Sequence, residues 1–189
     1  MAMPLSPPIP PRSLWTVEDL EQLPADGNRY EILHGELLVT PMPAVWHQRI
    51  AFRLTGSIAQ WCRANAGWEC FAPSGVFINE TTWLEPDLAV YPVPAGRAIA
   101  DWRQMGPPAL VIEILSPSTT KTDRHRKRPA YLAHGVAEVW LVDIDTQTIE
   151  QWTAHSEFPH PHRTTIAWTP SDGAPELTIQ LAELFGSSA

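Results

Sequence analysis

The spacing of apolar residues changes several times along this 189-residue chain, and each change predicts a different element. In "HQRIAFRLTGSIAQWCRANAG" apolar residues recur three or four positions apart, which predicts the longest helix, ending near Gly67. The residues that carry this pattern are Ile50, Leu54, Ile58 and Trp61. Two shorter helices are predicted, in "TVEDLEQLP" (16–24), capped by Thr16 with Asp19, and in "KRPAYLAHG", with Pro129 in its first turn.

Alternating or continuous apolar runs predict the strands. "YEILHGELLVTP" predicts a β-hairpin that turns at His34-Gly35. Further strands are expected in "WECFAPSGVFIN", "EPDLAVYP", "ALVIEILS" and "AEVWLVDIDTQTIEQWT". Residues 93–108 and 155–175 are expected to be mainly loops, and "LTIQLAELF" closes the chain. This order of helices and strands predicts an α/β or α+β fold with a mixed sheet, as one domain over residues 14–189. The proline-rich segment 1–13 is expected to be a disordered or extended lead-in.

Charge and composition indicate where the protein works more clearly than what reaction it catalyses. The formal net charge of -8 and the pI near 5.3 argue against a protein that coats nucleic acid through bulk charge. A local basic patch would still allow a nucleic-acid enzyme. No apolar run is long enough to cross a bilayer, and the first residues lack the pattern of a signal peptide. Cys62 and Cys70 make no metal-type spacing, so we expect free thiols and a cytoplasmic protein.

Two acidic residues lie where the pattern predicts burial. Asp87 starts the strand "DLAVYP", and Glu113 stands inside the apolar run "VIEIL". A buried carboxylate is costly unless it is paired or binds a cation. Two carboxylates at the ends of adjacent strands, with the Ile114 carbonyl, would form an oxygen site suited to Mg²⁺ or Mn²⁺. Each carboxylate taken singly has a plainer alternative, that of a residue at a strand edge or in a salt bridge.

A cluster of basic residues follows Glu113 closely. It comprises Lys121, Arg124, Arg126, Lys127 and Arg128. We expect Lys121, Arg124 and Arg126 to be phosphate-binding candidates, and a nearby lysine to position or deprotonate an attacking water. From the residues alone, the prediction stops at a metal-dependent phosphate enzyme.

A family resemblance extends this prediction. Pro-Asp at 86–87 and Glu113 in "VIEIL" resemble the core of the PD-(D/E)XK nuclease superfamily. The segments "RYEILHGELLVTPMP", "HQRI", "EPDLAVYP", "ALVIEILSPST" and "DRHRKRPAYLAHGVAEVWLVD" are similar, more closely, to the Uma-two family of restriction-endonuclease-like proteins. The similarity covers residues 16–155, and "EILSPST" with the residues that follow it is its most specific part.

One position departs from the superfamily motif, because Leu115 stands where the motif has a lysine. In the Uma-two pattern the lysine lies instead in D-x-x-x-K-x-P-x-Y, which maps onto Asp123, Lys127, Pro129 and Tyr131 in this sequence. A lysine at the start of that helix could reach back to the end of the strand. Arg126 and Lys121 are the alternatives for this role.

The resemblance implies a restriction-endonuclease-like fold and a homodimeric, Mg²⁺- or Mn²⁺-dependent endonuclease acting on DNA. It implies that Asp87 and Glu113 hold the metal and that Lys127 completes the catalytic set. Glu36, His47 and Asp123 are accessory candidates because each matches a position of the family pattern. Glu31, on the same hairpin as Glu36, also matches an acidic position. The plainer alternatives are surface glutamates for Glu31 and Glu36, a helix cap for His47, and a helix cap or a partner of Lys127 for Asp123.

Two rival functions stay open at the level of the sequence. One is a catalytically silent module that uses the same fold to bind nucleic acid or a protein partner, which the acidic net charge favours. The other is a metal-dependent hydrolase of a different phosphate ester.

Overall fold

The computed structural model describes residues 12–93, 100–170 and 173–186. The lead-in predicted for 1–13 therefore lies outside the described residues, apart from Arg12 and Ser13. Part of the loop predicted after residue 92 also lies outside them.

Twelve strands form three sheets in the described part of the chain. They are β1 Arg29–Leu33, β2 Glu36–Thr40, β3 Trp68–Phe71, β4 Val76–Asn79, β5 Thr82–Leu84, β6 Leu88–Pro92, β7 Leu110–Ile114, β8 Glu138–Asp143, β9 Thr148–Thr153, β10 His160–His162, β11 Thr165–Trp168 and β12 Leu177–Gln180. The sheets have the orders β2-β1-β5-β4, β10-β9-β8-β7-β6-β3 and β11-β12. In the six-stranded sheet β7 and β8 are parallel and the other pairs are antiparallel, so this central sheet is mixed as predicted.

Helices connect and cover these sheets. They are α1 Val45–Ala64, α2 Thr120–Thr122, α3 Arg128–His134 and α4 Leu181–Phe185, with 3-10 helices at Val17–Gln22 and Trp102–Gln104. A π turn over Asp123–Lys127 joins α2 to α3, so the chain is helical without a break from residue 120 to 134. None of the described helices has the length and apolar character needed to cross a membrane.

The structure confirms the hairpin, the long helix and the buried central strand. His34 and Gly35 both have positive φ angles, 53° and 79°, as a two-residue hairpin turn requires. Every residue of β7 is buried, including Glu113. The mixed α+β fold with an N-terminal helix and hairpin is therefore the predicted one.

Three details of the predicted elements are wrong. The helix before Gly135 begins at Thr120 rather than near Lys127, because the polar Ser-Thr turn starts it earlier. β5 follows a tight turn at residues 80–81 that was not recognised. β10 and β11 occupy a predicted loop, where pairing with β9 and β12 outweighs the weak local pattern.

The central sheet is buried on both faces. One core packs α1, α4 and the β11-β12 pair against residues such as Leu88 and Ile112. The other core packs α3 and the four-stranded sheet against Ala89, Val111 and Leu115. Because side chains alternate along a strand, Asp87 and Glu113 belong to the face of this second core.

Candidate active site

Asp87 and Glu113 stand opposite each other at one edge of the second core. β6 and β7 pair with Leu88 opposite Ile112, so the same antiparallel register continued by one residue places Asp87 opposite Glu113. The backbone N–H of Ile114 donates to Asp87 Oδ2 at 2.8 Å, which ties the two strand ends together. The structure thus brings together the two carboxylates that the sequence analysis selected.

Two further groups hold the Asp87 carboxylate. Arg29 Nη2 lies 3.1 Å from Oδ1, and His47 Nε2 lies 3.1 Å from Oδ2. Burial raises the pKa of Asp87, but His47 and Arg29 outweigh it and hold that pKa below its usual range. His47 is buried in the first turn of α1, and its Nδ1 has no hydrogen-bond partner among the described residues. We infer that His47 positions Asp87 rather than capping the helix.

Glu113 is buried more deeply than Asp87, with 2% of its surface exposed. Its Oε1 accepts a hydrogen bond from the Tyr131 hydroxyl at 2.7 Å and lies 2.8 Å from Lys127 Nζ. Burial raises the pKa of Glu113 to about 8, against the lowering effect of Lys127. Among the described residues, no donor bonds its second oxygen, Oε2.

Lys127 lies at the centre of a group of three carboxylates. Its Nζ is 2.8 Å from Glu31 Oε1, 2.8 Å from Glu113 Oε1 and 3.6 Å from Asp123 Oδ1. Burial lowers the pKa of Lys127, but Glu113, Glu31 and Asp123 outweigh it and raise that pKa above its ordinary value. The side chain is therefore an ammonium ion at neutral pH, and it approaches Glu113 from the helical segment as the sequence predicts.

The π turn determines how the helical segment presents these residues. The N–H of Arg128 donates to the carbonyl of Asp123, five residues back, so this turn holds one residue more than an α-helical turn. Asp123 and Lys127 are both buried in it, while His125 between them is exposed. Asp123 is thus a partner of Lys127 inside the helix, not a helix cap.

These residues border a cavity of about 710 Å³. Its acidic lining residues are Glu31, Asp87, Glu113, Asp123, Asp143 and Asp145, and its basic ones are Arg29, Arg124 and Lys127. Acidic side chains outnumber basic ones by two to one in this lining. The cavity therefore repels a phosphate group until a cation joins it.

The free lone pairs of the two carboxylates fit a metal ion of the Mg²⁺ type. A carboxylate offers about four acceptor positions, and the contacts described leave one on Asp87 Oδ1 and those on Glu113 Oε2. In the described residues no group of three or more His, Cys, Asp or Glu side chains is arranged to hold a metal. Mg²⁺ needs only one or two carboxylates, because it keeps several waters and takes further oxygens from substrate phosphates.

Other predicted candidates lie away from the two carboxylates. Arg126 pairs with Glu36 on the surface, with 2.6 Å between Nη2 and Oε2, and Lys121 is exposed. Arg124 does line the cavity, but its Nη2 lies 2.7 Å from Glu150 Oε1 and 3.1 Å from Asp143 Oδ2.

Leu115 is buried on the same face as Glu113, where the superfamily motif has its lysine. It packs in the second core, in the cluster that also holds Tyr131. An apolar side chain thus fills that place in the strand.

Two residues, Glu31 and Arg29, have a larger part in the site than the sequence predicts. Of the two hairpin glutamates, Glu31 rather than Glu36 reaches Lys127, and its Oε1 also accepts from the backbone N–H of Glu85 at 2.8 Å. Arg29 was not selected at all. The sequence could have identified Glu31 as a site residue, because alternation along β1 places its side chain on the inner face with Leu33.

The sequence and the fold were compared with known proteins. A family model named Uma2, described as "Putative restriction endonuclease", matches residues 17–182. A search of curated proteins finds no match. A solved structure from Anabaena variabilis, described as "a putative nuclease belonging to DUF820", is 22% identical and has a TM-score of 0.72. The match covers 90% of this chain and 97% of that one, and it supports the fold. Since the family model spans most of the sequence and includes every residue of the site, the chain belongs to the Uma2 family.

Proposed function

We propose that this protein is a Mg²⁺- or Mn²⁺-dependent endonuclease that hydrolyses phosphodiester bonds of DNA with an activated water. One observation carries the proposal: Asp87 and Glu113 stand opposite each other beside the Lys127 ammonium in an acidic cavity. Membership of a family described as restriction endonucleases supports it. As the resemblance implies, the enzyme would be a homodimer that cuts two strands with two sites, and its free thiols would suit the cytoplasm.

Asp87 and Glu113 would hold the metal ion, which when bound supplies Lewis-acid activation of water and of the phosphoryl oxygen. Arg29 and His47 keep Asp87 ionised and oriented. Tyr131 orients Glu113 through the hydrogen bond from its hydroxyl. The chain thereby keeps both carboxylates in place before substrate arrives, which is how enzymes avoid reorganisation during the reaction.

Lys127 contributes charge rather than basicity. Because its pKa is raised by the surrounding carboxylates, it cannot remove a proton from water at neutral pH. Two of its three N–H groups face Glu31 and Glu113, which leaves one to donate to an attacking water or to a phosphate oxygen. Its charge also offsets negative charge that develops on the phosphate. This role differs from the deprotonation that the sequence analysis also considered.

One observation favours the alternative of a catalytically silent binding module. In the metal-free protein, cationic or N–H groups already contact both oxygens of Asp87, and Lys127 neutralises Glu113. Such a network is self-sufficient and needs no ion. Metal binding therefore distinguishes the two functions, because an ion that binds only the folded state must stabilise it.

The test combines cleavage with metal binding. Supercoiled plasmid and short oligonucleotides are incubated with the purified protein in Mg²⁺, Mn²⁺ or EDTA, and the melting temperature is measured under the same conditions. We expect metal-dependent cleavage and a metal-dependent rise in melting temperature for the wild type. Both should be lost in Asp87→Asn and Glu113→Gln, and cleavage should be lost in Lys127→Met.

Lys121→Met is the matched control, since it removes an exposed lysine from the same helical segment. It should cleave like the wild type. If wild type and Asp87→Asn behave alike on every substrate and in every metal, the catalytic proposal fails and the binding module replaces it.

A further inference from the structure

Large apolar side chains are exposed where α1 begins, next to the candidate active site. Met42 is 75% exposed, Trp46 is 56% exposed and Phe52 is 81% exposed. Exposed apolar side chains that cluster in this way are typical of binding sites. Met42 and Trp46 both line the cavity that contains Asp87 and Glu113.

A cation accompanies the exposed indole. The guanidinium carbon of Arg49 lies 5.0 Å from the centre of the Trp46 ring. Arg49 is exposed, and in the described part of the chain no carboxylate forms an ion pair with it. Trp46 and Arg49 thus offer an aromatic face and a positive charge that no other group of the described protein neutralises.

A second cavity adjoins the first at Asp87, and the two together form a groove that reaches a second aromatic residue. A cavity of about 480 Å³ is lined by Phe52 and shares Arg29, Pro43, His47 and Asp87 with the larger one. Trp46 therefore borders the groove on one side of Asp87, and Phe52 borders it on the other.

We propose that this groove binds an unpaired stretch of DNA, as in a single strand, a flap or a fork, with a base stacked on Trp46 and a phosphate near Arg49. The inference rests on the proposed function and names its substrate class. A base can stack on an aromatic side chain only where one face of the base is uncovered. Within a duplex, neighbouring bases cover both faces of each base. Stacking also supplies binding energy that does not depend on bulk positive charge, which this acidic protein lacks.

The experiment measures DNA affinity and light-scattering mass for the full chain in Ca²⁺, in place of Mg²⁺, to suppress cleavage. The probes are a fluorescein-labelled single strand, the blunt duplex of the same sequence, and that duplex with a single-stranded tail. The variants are Trp46→Ala, Trp46→Phe and Arg49→Gln, with Phe158→Ala as the matched control. Phe158 is 73% exposed and lines neither cavity.

We expect tighter binding of the tailed and single-stranded probes than of the blunt duplex. Trp46→Ala should weaken binding of these two probes by about 5- to 150-fold, the range that loss of one stacked base gives. Trp46→Phe should retain most of the affinity because it keeps an aromatic face. Arg49→Gln should weaken binding and reduce its salt dependence, and Phe158→Ala should bind like the wild type.

Three outcomes would overturn the inference. The first is single-strand affinity in Trp46→Ala within twofold of the wild type. The second is equal weakening on all three probes. The third is a wild-type dimer that Trp46→Ala converts to a monomer, which would make the apolar surface an interface between two copies. The proposed function fails separately, when the wild type cuts no oligonucleotide and no plasmid in any metal, whether or not it binds them.

Discussion

Asp87 accepts a hydrogen bond of 2.8 Å from the backbone N–H of Ile114, the residue that follows Glu113. The bond joins the two candidate metal ligands through the main chain, and Arg29 completes the arrangement as a half-buried cation beside Asp87. The position of each carboxylate thus depends on the other strand.

Asp87→Asn tests how much of this arrangement is structural. The amide keeps an acceptor for Ile114 but removes the negative charge beside Arg29, and losing a hydrogen bond between charged groups costs about 1–3 kcal/mol. Urea unfolding in EDTA should show this loss in the free energy of unfolding. Asp145→Asn changes another acid of the cavity lining, and it should stay within about 0.5 kcal/mol of the wild type. Equal stability of both variants would contradict the structural role of Asp87.

Lys127→Met should be the most destabilising single change in the site. It leaves the buried carboxylates of Glu31 and Glu113 without their cation, and breaking a buried ion pair in this way costs about 3–5 kcal/mol. Urea unfolding at pH 7 in EDTA measures this loss, with Lys121→Met as the control from the same helical segment. A loss no larger than that of Lys121→Met would contradict the role of Lys127 in this ion-pair group.

The raised pKa of Glu113 predicts a pH dependence of stability in the metal-free protein. The folded state holds the Glu113 proton up to a pKa of about 8, whereas the unfolded state releases it near the ordinary value of 4.5. Between these pH values the folded state binds more protons, so the contribution of Glu113 to the free energy of unfolding falls as pH rises. It levels off above pH 8.

Denaturant unfolding in EDTA at several pH values measures this slope. Glu113→Gln removes the titrating group, so the fall with pH should be shallower in this variant than in the wild type. Identical slopes in the two proteins would show that Glu113 titrates normally in the folded state.

The thiols of Cys62 and Cys70 give an independent test on the opposite side of the sheet. Both are free, and a hydrogen bond from Cys62 lowers the pKa of the Cys70 thiol to about 7, against the effect of burial. The rate of Cys70 alkylation by iodoacetamide should therefore reach half its maximum near pH 7. Cys62→Ala removes the donor and should move the midpoint to higher pH. Cys70→Ala is the control that assigns the signal, and an unchanged midpoint in Cys62→Ala would contradict the hydrogen bond.

The sequence pattern predicted elements and site residues correctly where the local signals agree with the tertiary structure. β7 is an apolar run with one glutamate, so its burial and its unusual residue were both readable from the chain. Lys127 was identifiable by resemblance, although not by the spacing of the general nuclease motif, because Leu115 occupies that place in the strand.

Non-local packing accounts for what the sequence did not predict. Alternation along β1 places Glu31 on its inner face, but only the tertiary structure brings Arg29 to Asp87 and Glu31 to Lys127. The early start of the helical segment depends on the hydroxyl of Thr120, which donates to the carbonyl of Ser116 at 2.6 Å. This helical segment has no apolar periodicity. Its inner side is polar because Lys127 there contacts the carboxylates of Glu31 and Glu113.

The π turn over Asp123–Lys127 makes the number of residues in this segment as restrictive as their identity. Deleting the exposed His125 would remove no contact of the site directly. It would leave an ordinary α-helical turn in place of the π turn, which holds one residue more. The distance of 3.6 Å between Lys127 Nζ and Asp123 Oδ1 spans this widened turn, so the deletion would move the ammonium relative to Asp123 even though every site residue is kept. We therefore expect functional relatives to tolerate substitution at the exposed positions of this turn but to conserve its length.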